Sequence, residues 1–148
     1  MLVFAVDPGT TTGWSMVDTD AETLLPIAGQ YPYTHFQDWV AEELAGRQDV
    51  QLVIERFTIN AGSMKKSRAG MHDAIETIGV LRFLGRQLGW PEPLWQMPAD
   101  VMRIVDDGVL RSLGWHRRGQ GHANDSLRHL AVWALKAGRI SRKDMHPE

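Results

Sequence analysis

Four side chains have types and positions suited to holding a divalent cation. Asp7 directly follows an apolar run and precedes Pro8-Gly9, and Glu55 closes the apolar run Leu52-Val53-Ile54. His122 and Asp125 stand three residues apart, ahead of the apolar stretch Leu130–Leu135. That spacing puts both on one face of a helix. A carboxylate at the end of a buried strand is costly unless it is paired or binds a metal. Ligand sites in mixed sheets also favour the carboxyl ends of strands. Three carboxylates and one imidazole suit Mg²⁺ or Mn²⁺. Clusters of this kind, holding two ions about 4 Å apart, activate water and stabilise the leaving oxygen of a phosphodiester. Each residue also has a plainer reading. Asp-Pro-Gly is a good turn, and Glu55 can pair with Arg56 or reach water. Asp125 can serve the helix dipole, with His122 or Asn124 as the cap. His129 lies two turns from His122, about 10 Å by helix rise. That distance assigns it to packing, or to support of a ligand, rather than to the same ion.

The elements that must position these residues are legible as patterns. Leu2–Val6 reads as a strand ending at Asp7, and Gly13–Val17 as its hairpin partner across a Thr- and Gly-rich turn. Leu24–Tyr31 reads as a third strand that Pro26 places near an edge or an end. Thr34 and Gln37 have capping-box spacing, predicting a helix from Thr34 that carries Phe36, Trp39, Val40 and Leu44 and stops at Gly46. Leu52–Ile54 reads as a central strand buried on both faces. Residues 58–67 read as a loop, and Arg68–Leu88 as a long helix with an apolar stripe of Met71, Ala74, Ile75, Ile78 and Leu81. Val80, Phe83 and Leu84 fall off that stripe, which predicts a second packing surface. Pro93–Met97 reads as a fifth strand. Helical pieces follow over Pro98–Val105 and Asp106–Leu113, then a flexible basic loop His116–Gly121, a last helix His122–Ala137, and a frayed polar tail after Arg139. Three leading strands followed by alternating helices and strands predict an α/β domain with a mixed sheet and helices on its faces.

Composition narrows the class. The chain has 148 residues, enough for one domain (1–148) with a real core, and it has no cysteine, which excludes disulfides and thiolate zinc sites. Apolar runs reach only five or six residues, too short to cross a bilayer. The N-terminus shows no basic region or cleavage site, so a cytoplasmic protein with no membrane partner is expected. The net charge of −2 hides a division. Residues 1–50 carry eight acidic and one basic residue, whereas residues 51–148 carry ten acidic and fifteen basic. Twelve of the sixteen basic residues are arginine, which favours bidentate phosphate contacts.

The segments VFAVDPGTTTGWSMV, LVIERF and HANDSLRHLAVWAL together resemble RuvC-type Holliday junction resolvases of the ribonuclease H-like superfamily, from Leu2 to about Leu135. The last segment is similar to phage-encoded members in particular. The resemblance implies a five-stranded mixed sheet with helices on both faces. It also implies an endodeoxyribonuclease that cuts four-way DNA by paired symmetric nicks, leaving 5′-phosphate and 3′-hydroxyl ends. Asp7, Glu55, His122 and Asp125 would be its catalytic metal ligands, for two Mg²⁺ ions with Mn²⁺ as a substitute and no small-molecule cofactor. The position of His122 is an aspartate in many relatives and a histidine in others. A ligating histidine must be neutral, so this residue bears on metal preference and pH dependence. The family is homodimeric, which assigns Val80, Phe83 and Leu84 of the 68–88 helix to the interface. Phe57 is the candidate for an aromatic residue inserted near the junction crossover, or else it is a core residue. Lys65, Lys66, Arg68, Arg103, Arg117 and Arg118 are candidates for the DNA path.

Three other readings remain at this point. A debranching or flap endonuclease would have looser structure preference. A catalytically inactive junction-binding module would lack metal-competent side chains, yet all four positions carry them. DPGTTTG also resembles the first phosphate loop of actin-like kinases and ATPases. That fold needs two such domains and a second Gly-rich loop, which this chain lacks.

Overall fold

A computed structural model describes residues 1–56 and 68–148, and the side chains of the latter segment from Gly70 onward. The strands are β1 (Leu2–Asp7), β2 (Thr11–Asp18), β3 (Ile27–Pro32), β4 (Val50–Glu55) and β5 (Leu94–Gln96). The helices are α1 (Tyr33–Glu43), α2 (Arg68–Leu88), α3 (Pro98–Ile104), α4 (Asp107–Ser112), α5 (Gly121–Lys136) and α6 (Arg142–Met145). One mixed sheet has the order β3-β2-β1-β4-β5. β1 pairs antiparallel with β2, which pairs antiparallel with β3, while β4 runs parallel to both β1 and β5.

Strand alternation divides the core into two layers. Leu2, Phe4 and Val6 of β1, with Leu52 and Ile54 of β4, pack beneath Phe36, Val40 and Leu44 on the α1 side and Leu81 of α2. Val3 and Ala5 of β1, with Val53 of β4, pack on the opposite face against Leu127, Leu130 and Ala131 of α5 and Val101 and Val109 of α3 and α4. Helices therefore cover both faces of the sheet. Leu127 is fully buried, so truncating it to alanine would cost roughly 2–5 kcal/mol. Asp7 and Glu55 continue the odd-numbered series of β1 and β4, so both carboxylates point toward α5. Parallel pairing with Val6 opposite Ile54 brings these two strand ends side by side.

Several local expectations are corrected. Strand β3 begins only after Pro26, although Leu24 is still buried in the α5-side core. Helix α1 starts at Tyr33 with no side-chain cap, and its first N–H donates to the Thr10 carbonyl at 2.9 Å. Gln37 does not complete a capping box with Thr34. Its amide donates to Glu76 Oε2 at 3.0 Å and Thr77 Oγ1 at 3.2 Å, tying α1 to α2. On α2 the buried stripe runs through Thr77 rather than Ile75, because Gln37 satisfies the Thr77 hydroxyl. Ile75 and Phe83 are then the exposed large apolar residues of α2, and Leu84 packs on the core. The segment after Arg139 is not frayed. Ser141 and Asp144 form a capping box for α6, which seats Met145 in the core. Among the described residues, no helix is long and apolar enough to cross a membrane.

Candidate active site

The first turn of α5 meets the carboxyl ends of the two inner strands β1 and β4. Asp7, His122 and Asp125 each offer one ligand atom, and these atoms lie within 4.8 Å of one another. His122 Nδ1 is 3.4 Å from Asp7 Oδ2. The Asp7 side chain is 13% exposed and that of His122 50%, so the cluster opens outward through the histidine. Glu55 of β4 is not one of these three, but it lies beside them: its charge acts on Asp7, and its Oε2 is 3.8 Å from His129 Nε2.

Where two buried carboxylates act on each other, one is driven to keep its proton. Burial, then the hydrogen bond to Glu55 and the charges of Glu55 and Asp125, push the Asp7 carboxyl up to about 10. Burial also pushes Glu55 up, but His129 and the proton on Asp7 outweigh it and hold Glu55 below its usual range. Asp125 is raised by burial, against the pull of the Arg128 guanidinium. Oxygen donors that must share a proton, with one imidazole beside them, fit a hard divalent cation.

The approach of α5 depends on β2. A Cβ on Gly13 would lie 1.8 Å from the His122 carbonyl oxygen and 2.3 Å from its carbon, so the helix passes where only glycine leaves room. Neither His122 nor Asn124 caps α5. Gln30 of β3 accepts from the backbone N–H of His122 at 3.1 Å and of Ala123 at 3.3 Å, supplying the acceptor from a neighbouring strand. Asn124 instead clamps the preceding segment. Its Oδ1 accepts from Arg117 N and its Nδ2 donates to Arg117 O, each at 2.8 Å. The segment expected to be a flexible basic loop is therefore pinned to α5.

Behind the cluster, two consecutive α5 residues reach the carboxylates. The buried His129 places Nε2 3.8 Å from Glu55 Oε2, and its Nδ1 lies 2.9 Å from Gln96 Oε1. The buried Arg128 donates to Asp125 Oδ1 at 2.8 Å, to the Val105 carbonyl at 3.1 Å and to Asp107. Sequence reasoning missed Arg128, Gln96 and Gln30. Only Arg128 left a signal, a charge inside an apolar helix pattern three residues after Asp125.

The basic candidates fall in different places. Arg117 donates to the carbonyls of Trp115 and Pro26, both at 2.8 Å, and so clips the loop to the β2–β3 connection. Arg103 pairs with Asp100 on the surface of α3, and Arg118 is exposed. Phe57, Lys65 and Lys66 lie outside the described residues, as does the side chain of Arg68.

No protein-family model and no curated protein matches this chain. Among solved structures, it is similar to T. thermophilus RuvC in complex with a Holliday junction substrate. The TM-score is 0.68 at 16% identity, covering 94% of this chain and 96% of that one. The resolvase of Fowlpox virus, solved with substrate Holliday junction DNA, aligns at a TM-score of 0.43 and 13% identity, over 97% of this chain and 80% of that one. The first of these likenesses establishes a RuvC-like, ribonuclease H-like fold, in agreement with the sheet and helix layers expected from the sequence.

Proposed function

We propose that this protein is a metal-dependent endodeoxyribonuclease that resolves four-way DNA junctions by paired nicks. The observation that carries the reading is the pair of carboxylates on adjacent parallel strand ends, Asp7 and Glu55, with His122 and Asp125 brought to them by α5. The likeness to T. thermophilus RuvC, solved on a Holliday junction substrate, supports the choice of DNA.

Asp7, Glu55, His122 and Asp125 would hold two divalent cations, Mg²⁺ or Mn²⁺. When bound, these supply Lewis acidity and activated water for phosphodiester hydrolysis. The chain's own residues prepare that chemistry. Asp7 and Glu55 release their shared proton as positive charge enters. His129 and Arg128 hold Glu55 and Asp125 from the buried side. Water adds to phosphorus as the bond to the 3′-oxygen breaks, giving a 5′-phosphate and a 3′-hydroxyl. Arg118 and Arg103, with Lys65, Lys66, Arg68 and Phe57, are the proposed DNA contacts.

Two such sites on opposed strands require a two-fold dimer. The exposed apolar stripe of α2, Ile75 and Phe83 with Gly79 between them, supports an interface there. A Cβ at Gly79 would meet nothing within 4 Å, so the stripe has a shallow centre into which a second helix can settle.

The test uses end-labelled four-way junction, fork, flap and linear duplex, each in Mg²⁺, Mn²⁺ or EDTA, with cut sites mapped. Symmetric cutting of the junction is expected with either metal and none in EDTA. Asp7→Asn is expected to keep junction binding and abolish cutting. Equal rates on fork and flap would replace the resolvase reading with a general debranching nuclease. Wild-type cutting by Asp7→Asn would remove Asp7 from the chemistry.

A further inference from the structure

Arg128 is 7% exposed, and each of its three guanidinium nitrogens donates a hydrogen bond. Nε donates to the Val105 carbonyl at the end of α3, Nη2 to Asp107 at the start of α4, and Nη1 to Asp125 Oδ1 at 2.8 Å. An arginine fork held at three points is rigid, and that rigidity passes to whatever it grips. Here it grips one oxygen of a carboxylate that belongs to the cation cluster.

That grip has a consequence for which cation the site accepts. A carboxylate with both oxygens free can chelate an ion through both. Calcium, with six to eight ligands at flexible angles, uses this mode readily. Magnesium demands a compact octahedron and takes carboxylates through one oxygen. With one lone pair of Oδ1 taken by a charge-assisted hydrogen bond from Arg128, Oδ2 is the stronger donor that Asp125 has left to give. We infer that Arg128 is a specificity-determining positioning residue that inclines Asp125 to single-oxygen ligation and so biases the site against Ca²⁺ and toward the smaller Mg²⁺ and Mn²⁺. The inference rests on the metal-site reading above. It adds that the α3–α4 elbow takes part in cation choice, although it contributes no ligand.

The experiment measures Ca²⁺ and Mn²⁺ affinity by calorimetry on the full chain without DNA, for the wild type and for Arg128→Met, Arg128→Lys and Asp107→Asn. Melting temperature in EDTA is recorded for each. The expected result for Arg128→Met is a rise of about tenfold in the ratio of Ca²⁺ to Mn²⁺ affinity, whatever happens to the absolute values. Asp107→Asn frees the far end of the fork and should move the ratio in the same direction by less. Arg128→Lys keeps a donor to Asp125 and should stay near the wild-type ratio. A purely structural role would lower the melting temperature and scale both affinities together. A folded Arg128→Met or Asp107→Asn with an unchanged ratio overturns the inference. If Arg128→Met does not fold, Asp107→Asn decides alone. Failure of the wild type to bind either ion at millimolar concentration would overturn the metal-site reading itself, a result distinct from an unchanged ratio in variants of a metal-binding wild type.

Discussion

At the scale of single residues, burial and mutual charge set the clustered carboxylates against one another. The Asp7 carboxyl is held at about 10 in the folded chain against 3.8 as its ordinary value. Between those values the folded state keeps a proton that the unfolded chain gives up. The associated stability is therefore complete below the lower value and is lost as the pH rises through the upper one. Asp7→Asn has no such proton to lose. In EDTA at about pH 8 its melting temperature should exceed that of the wild type by several degrees, about 1–2 kcal/mol for a domain of this size. The gap should close near pH 4. A thermal shift series across pH checks this, and a gap that widens on acidification would contradict the shared proton. The meeting of Asp7, His122 and Asp125 was legible because each combined a metal-competent side chain with an element boundary. Gln30 was not, since a glutamine in a strand gives no hint that a distant helix needs its oxygen.

At the scale of elements, the site stands or falls with the seating of α5 on β2. Gly13→Ala would drive a methyl into the His122 backbone, where no side chain can swing aside. The first turn of α5 must lift, at a cost of about 1–3 kcal/mol or more. The expected outcome is a drop of roughly 6 °C in melting temperature with loss of junction cutting. A variant that melts and cuts like the wild type would mean that α5 sits elsewhere in solution. The strands and the long helices were readable from periodicity. Their ends were not, because neighbours decided them. The Thr10 carbonyl starts α1 where no side chain caps it, and Ser141 with Asp144 makes a helix from what read as tail. The phase of α2 was misjudged for a related reason. A threonine satisfied by Gln37 is as buried as any isoleucine, and hydrophobic counting cannot see the partner.

At the scale of the whole molecule, the division of charge proved a weaker guide than it looked. Several arginines of the basic half are internal fasteners. Arg117 and Arg139 donate to backbone carbonyls across the β2–β3 connection, and Arg128 lies under the cluster. Charge counting cannot separate such clips from cations that face a partner. Assembly is the sharper question at this scale. Phe83 is 54% exposed on the apolar stripe of α2, and Phe83→Glu would place a charge in any two-fold contact there. On the proposed two-fold assembly, the expected outcome is a dimer by sedimentation for the wild type and a monomer for Phe83→Glu at the same concentration. The two nicks in a four-way junction should then become uncoupled single nicks. A dimer that survives Phe83→Glu would move the interface off this helix.

His122 touches Asp7 across 115 positions of chain. The cluster is thus closed by an element that emerges from the machinery that makes the protein well after β1 and β4. The sheet can begin to pair from its leading strands, but until α5 arrives the carboxylates of β1 and β4 face no partner. A chain synthesised only as far as β5 therefore contains half of the cluster. Refolding should show the same order in time, because contacts that close so long a loop form late. Sheet signal should return first and the closed cluster last, a built-in delay between the birth of the fold and the completion of its proposed site.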